Sequence, residues 1–321
     1  MFSCRFAGAF ALAVVLSLTG ASAAFADHYA AKSWPGGATA TRAAPVYFIH
    51  GSDLGLNSEE PNTDCAATWG TSTTGMIGRF AAWGHSGPFL KTKYYFADTN
   101  CPRDLGNYGS HSQHYATSDG VNGHRSDGGH SRDTSIRHLG YHLAWDIADR
   151  NRYSNVNVVA HSMGGLIIRY ALMKSAQGDP AFPASMMVKD AITMGTPHDG
   201  SGLAELCTSI QCREMRENSP LLMEMEAYGQ NPQGLYGTDW TLIGSEDDFV
   251  VSQSSATEMQ SQHKVIYGGG RGHSDYYKDT SSSFDAGVKW DEGWDGQGYH
   301  SWDSAPHVVK WADRAAAAWS W

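Results

Sequence analysis

The chain has 321 residues, a hydrophobic content of 41% and a formal charge of −10. That length and apolar share suit one large α/β domain or two small ones, with a sizeable core. The acidic balance argues against nucleic acid or an anionic membrane surface as a partner.

Residues 1–26 read as a secretory signal peptide. Arg5 precedes an apolar run from Phe10 to Leu18, and small residues lead to Ala24-Phe25-Ala26, an A-x-A cleavage pattern. Cleavage after Ala23 is the second choice. A membrane anchor is the competing reading, but the run is short for a span and no later stretch is long enough, so no transmembrane segment is expected in the mature protein. Cys4 leaves with the peptide, and loss of Arg5 takes the formal charge from −10 to −11. Cys65, Cys101, Cys207 and Cys212 remain. An even count in an exported, extracellular chain points to two disulfides. Each pair lies within one segment, which favours Cys65–Cys101 and Cys207–Cys212 among the three pairings. Metal ligation is the alternative, without zinc-type spacing to support it.

Residues 27–44 form a polar, Gly/Ala-rich flexible lead-in, and the domain proper runs over 45–321. Pro45 to Gly51 is a buried strand ending in His50-Gly51. Thr73 to Trp83 is helical, and Leu90 to Phe96 is the next strand. Asp98 to Arg132 is a long loop rich in Gly, Ser, His and Asp, and long loops in compact domains are often functional. It sets His111, His114, His124 and His130 near Asp119, Asp127 and Asp133. Such residues can ligate zinc or calcium. No pair sits at helical i, i+4 spacing, however, and polar loops collect these residues anyway, so no metal is assigned. Thr134 to Arg150 is an amphipathic helix with Ile136, Leu139, Leu143 and Ile147 on one face.

Val156, Val158 and Val159 then mark a buried strand, and from Leu166 to Leu172 the apolar spacing turns helical. Between them stands Ala160-His161-Ser162-Met163-Gly164. A serine at such a corner projects its hydroxyl above the sheet edge, toward the free N–H groups of the following helix. This stretch resembles the nucleophile elbow of the α/β-hydrolases, with alanine in place of the first glycine, as in some small secreted bacterial lipases. The resemblance covers nearly the whole chain from Val46 to the last helix, with insertions. It implies a mostly parallel sheet with helices on both faces.

The same resemblance implies that the backbone amides of Ser52, after the His-Gly strand, and Met163 form the oxyanion hole. Met187 to Met194 is a further strand. The following Gly195-Thr-Pro-His198 resembles a lipase loop lining the site, although His198 is not read as the base. Residues 203–236 read equally as a cap or lid and as ordinary surface helix. Trp240 to Gly244 is the next strand, with Glu246, Asp247 and Asp248 competing behind it. The resemblance selects Asp248. Lys264 to Tyr267 is a short last strand, and His273 follows on a glycine-rich loop. His300 is the alternative base, before a C-terminal helix over Ala305 to Trp319. Residues 280–298 form an acidic, Trp-containing insertion without an assigned role.

The order Ser162, Asp248, His273 is that of the α/β-hydrolases. The implied activity is hydrolysis of carboxylic esters by a secreted lipase or carboxylesterase through an acyl-enzyme, without a cofactor. Its partners would be an ester or lipid substrate and a transient lipid interface. An acyltransferase or polyester depolymerase with the same triad is the alternative among enzymes. A non-catalytic binding protein on the same fold is the alternative outside them.

Overall fold

The computed structural model describes residues 42–52, 61–105, 131–261, 263–278, 280, 288–291, 300–302 and 306–317. The expected signal peptide, residues 27–41 of the lead-in, and His111, His114, Asp119, His124, Asp127 and His130 lie outside them, as does most of 280–298.

A nine-stranded sheet runs in the order β3-β2-β1-β4-β5-β6-β7-β8-β9. Seven strands are parallel: β1 (Val46–Ile49), β2 (Phe89–Lys93), β3 (Arg103–Asp104), β4 (Val156–His161), β5 (Val188–Met194), β6 (Asp239–Ser245) and β7 (His263–Tyr267). Parallel strands covered on both faces read as unbroken apolar runs, and every residue of β1, β4 and β5 is buried. Successive side chains go to opposite faces. Tyr47, Ile49, Val158 and Ala160 join one core cluster, and Val46, Phe48 and Val159 join the other.

The first cluster lies under α3 (Ile136–Arg150), α4 (Met163–Ala176) and α6 (Pro220–Tyr228). The second lies under α1 (Cys65–Trp69), α2 (Met76–Ala82) and α8 (Val308–Ala317). Ile136, Leu139, Leu143 and Ile147, the expected apolar face of α3, are all fully buried. Each such side chain contributes about 1.5–3 kcal/mol. Ser135 caps α3 by accepting from Arg137 N, and Glu214 on α5 (Ile210–Glu214) accepts from Ile136 N at 2.6 Å. A carboxylate at that helix start is favoured by the dipole.

Two expectations change. The strand at Lys264 to Tyr267 is not the last: β8 (Val288–Asp291) and β9 (His300–Trp302) extend the sheet antiparallel, inside and just after the stretch taken as an insertion. Those strands are only four and three residues long, too short for a clear alternation of polar and apolar residues. The segment from Asp98, expected as loop throughout, also holds the two-residue strand β3. Helices α1, of five residues, and α7 (Gln253–Ala256), of four, are also too short for a periodic signal.

Candidate active site

The register of the central strands assembles one edge of the sheet. Ile49 pairs with Ala160, and His161 pairs with Met194, so His50-Gly51, His161-Ser162 and Gly195 emerge side by side at the carboxyl ends of β1, β4 and β5. Ser162 sits between β4 and α4 with φ 54° and ψ −131°. A non-glycine residue rarely takes that backbone, and it persists only where the surroundings enforce it. Here they do: Ser162 N donates to Met194 O at 2.9 Å, and Thr196 Oγ1 donates to Ser162 O at 2.8 Å. Gly164 lets the helix close on β1, since a Cβ there would lie 2.5 Å from Ile49 O and 2.6 Å from His50 O.

His273 Nε2 lies 2.9 Å from Ser162 Oγ, and its Nδ1 lies 2.8 Å from Asp248 Oδ2. With a hydrogen on Nδ1 donating to the carboxylate, Nε2 accepts from the serine hydroxyl. Asp248 Oδ1 accepts from Val250 N at 2.9 Å and Val251 N at 3.0 Å, and Tyr276 OH donates to Oδ2 at 3.1 Å. Burial opposes the charge on Asp248, but the hydrogen bond and charge of His273 and the two N–H groups outweigh it. The carboxyl is held below its ordinary range. Of its competitors, Asp247 accepts instead from Gly270 N at 2.6 Å, and Glu246 is exposed. Gly195, at φ +57°, is the third wall: a Cβ there would lie 2.7 Å from the Tyr276 ring and 3.1 Å from Asp248 Oδ2.

Met163 opens α4, where first-turn N–H groups have no partner within the helix. Ser52 follows Gly51, whose added Cβ would lie 2.7 Å from Ser162 Cβ. His300 lies in β9 at the outer edge of the sheet, paired by backbone with Trp290 of β8. His198 is buried away from the serine, with Nε2 3.1 Å from Thr193 Oγ1 and its carbonyl accepting from Arg169 at 3.0 Å. Burial, then the Arg169 charge, keeps its pKa well below the ordinary range. Arg169 also donates to Gly229 O and Met225 O, fixing the end of α6 on α4. Within 203–236, Leu221, Leu222 and Met225 are buried, while Leu206 and Met223 are 68% and 50% exposed.

Both disulfides are present, Cys65–Cys101 with Cα atoms 5.2 Å apart and Cys207–Cys212 at 5.9 Å. Among the described residues, no three His, Cys, Asp or Glu side chains gather as a metal site, and no helix is long and apolar enough to cross a membrane.

The sequence reading passed over His161, Tyr276, Tyr94 and the pair His50–Asp98. His161 Nε2 donates to His273 O at 2.7 Å, and a histidine beside the elbow serine could have drawn notice. Tyr276, three residues after His273, carries no such signal. Nor do His50 and Asp98, 48 residues apart, whose side chains meet at 3.0 Å.

Strand order, a strained serine between central strand and helix, and an Asp and a His on the loops after β6 and β7 decide the architecture. The chain has the α/β-hydrolase fold. Residues 128–213, from before α3 to within α5, match the family model described as "Putative serine esterase (DUF676)". No curated protein sequence matches the chain. Among solved structures, the chain resembles lipase B of Aspergillus fumigatus at 15% identity and TM-score 0.40, over 69% of this chain and 42% of that one. It resembles phospholipase PlaB of Legionella pneumophila at 12% and 0.43, over 67% and 45%. For the mature lipase BlEst2 of Bacillus licheniformis the values are 15% and 0.37, over 64% and 67%. The chain thus spans less than half the length of the first two.

Proposed function

We infer that the protein is a secreted serine hydrolase that cleaves carboxylic esters of lipid-like character through an acyl-enzyme. The observation that carries this reading is the hydrogen-bonded line from Ser162 Oγ through His273 to Asp248, with the serine on a strained turn at a helix N-terminus. Ser162 Oγ attacks the ester carbonyl as His273 Nε2 takes its proton. The carbonyl oxygen becomes an oxyanion held by the N–H groups of Ser52 and Met163, each worth about 3 kcal/mol. Collapse expels the alcohol, which takes the proton from His273. A water then attacks the acyl carbonyl as its proton passes to His273, and collapse returns that proton to Ser162 Oγ and releases the acid. Asp248 holds the imidazole in the required tautomer and offsets its charge.

An apolar substrate is supported by the side chains around the carboxyl edge of the sheet. Phe249, next to Asp248, is 87% exposed, and Leu206 and Phe96 stand on the loops after β5 and β2. Export is supported by the signal-like residues 1–26 and by the two disulfides. The test is hydrolysis of p-nitrophenyl esters of graded acyl length by wild type and Ser162→Ala. The reading requires activity that favours the longer chains and is lost in the variant with folding kept. Equal activity in the two proteins would refute it.

A further inference from the structure

We propose that His50 is a positioning residue for the oxyanion hole: its ring, held between Asp98 and the Gly51 carbonyl, sets the peptide plane that presents the Ser52 N–H to Ser162. The proposal rests on the ester-hydrolysis reading above and deepens it.

The hydrogen-bond roles follow from the partners. Asp98 accepts from three backbone N–H groups, of Thr63 at 2.8 Å on Oδ1, and of Tyr94 at 3.0 Å and Tyr95 at 2.9 Å on Oδ2. A group satisfied by donors alone is a carboxylate. His50 Nε2 lies 3.0 Å from the same Oδ2, so that nitrogen carries a hydrogen. His50 Nδ1 lies 2.8 Å from Gly51 O, which can only accept, so it carries one too. Thr63 Oγ1 lies 3.2 Å from Nδ1 and can accept as well. The Tyr94 ring stacks on the His50 ring at 4.0 Å and 16°.

The geometry of the loop follows from these contacts. The Tyr94 hydroxyl is shared between the carbonyls of His50 and Gly51, at 2.8 Å from the latter. Two donors, His50 Nδ1 and Tyr94 OH, therefore draw the Gly51 carbonyl to their side. In a planar trans peptide the N–H of the next residue points the opposite way. That residue is Ser52, and Gly51 itself lies against Ser162. The His50–Asp98 contact is in turn anchored covalently. Cys65 N donates to Thr99 O and Thr99 N to Thr63 O, and the Cys65–Cys101 bond clasps the two segments that carry Thr63 and Asp98.

The experiment compares wild type, His50→Phe and Tyr94→Phe on one p-nitrophenyl ester. It measures kcat, KM, thermal midpoint and inhibition by an alkylboronic acid, which forms a tetrahedral anion on the serine. His50→Phe keeps a ring for Tyr94 to stack on and removes both donors. Its kcat should fall on the order of 10²-fold, the scale of one lost oxyanion donor. KM should stay within about twofold, and boronate affinity should fall in parallel with kcat/KM. Tyr94→Phe should show the same split at about tenfold, and it decides the matter if His50→Phe does not fold. Wild-type kcat in the folded variants, or a loss of kcat with boronate affinity unchanged, would overturn the proposal. A wild-type protein inert to every ester and to boronate would instead remove the reading beneath it.

Discussion

His161 Nε2 donates to the backbone carbonyl of His273 across 2.7 Å, so the residue before Ser162 holds the loop that carries the proposed base. Burial, then the nearby charge of His273, pushes the His161 pKa down from 6.5 to about 3. Between those values the folded protein binds fewer protons than the unfolded chain. The contribution to stability is therefore whole above pH 6.5 and is lost as pH falls from 6.5 toward 3, by up to about 1.4 kcal/mol per pH unit. His198, also kept neutral by burial beside Arg169, acts in the same direction. His161→Gln keeps an N–H donor and takes up no proton. Its stability, measured by urea unfolding at several pH values, should fall less steeply across that window. Equal slopes would contradict the assignment.

The backbone of Ser162 gives a second prediction. At φ 54° and ψ −131° a side chain costs on the order of 1–3 kcal/mol, and glycine avoids most of that cost. Ser162→Ala and Ser162→Gly both lose the hydroxyl, so their difference isolates the strain. Ser162→Gly should be the more stable by about 1 kcal/mol in denaturant titration, although glycine normally weakens a folded chain. A less stable glycine variant would mean that the turn is not strained.

Much of this fold could be read from residue order, for physical reasons. β1, β4, β5 and β6 are buried parallel strands and so stand out as apolar runs, and α3 carries its face at 3.6-residue spacing. The expectation for Ser162 rests on a local signal, small neighbours at fixed offsets around a strand–helix corner. Those for Asp248 and His273 rest on chain order and resemblance alone, with Glu246, Asp247 and His300 open beside them. What stayed hidden depends on contacts between distant segments. His50 meets Asp98 and Arg169 meets His198 through the packing of β1 on β2 and α4 on β5, and no local pattern encodes either. β8 and β9 were missed because strands of four and three residues carry no period.

The choice between the two histidines is open to direct test. His273→Ala should lower kcat by about 10⁴-fold or more, the scale on which triad members act. His300→Ala, altering an edge strand two strands beyond β7, should cost less than about tenfold. The pair is compared on one ester, with folding checked by circular dichroism. A dead His300→Ala beside a nearly intact His273→Ala would reverse the assignment.

The disulfides differ in the loop they close, with sequence separations of 36 and 5 residues. In the chain-entropy account, removing Cys65–Cys101 costs about 4 kcal/mol and removing Cys207–Cys212 about 2 kcal/mol. Serine double variants compared by urea unfolding should fall in that order. The mature protein should also show no alkylatable thiol without reductant. The reverse order, or free thiols, would contradict this.

The most direct measurement of the central claim is the site and pH dependence of labelling by an alkyl fluorophosphonate, read by peptide mass spectrometry. The account predicts one adduct per chain, on Ser162. It also predicts that labelling is abolished in Ser162→Ala and slowed by orders of magnitude in His273→Ala. Labelling on another residue, or an unlabelled Ser162 in a folded and ester-active protein, would contradict it.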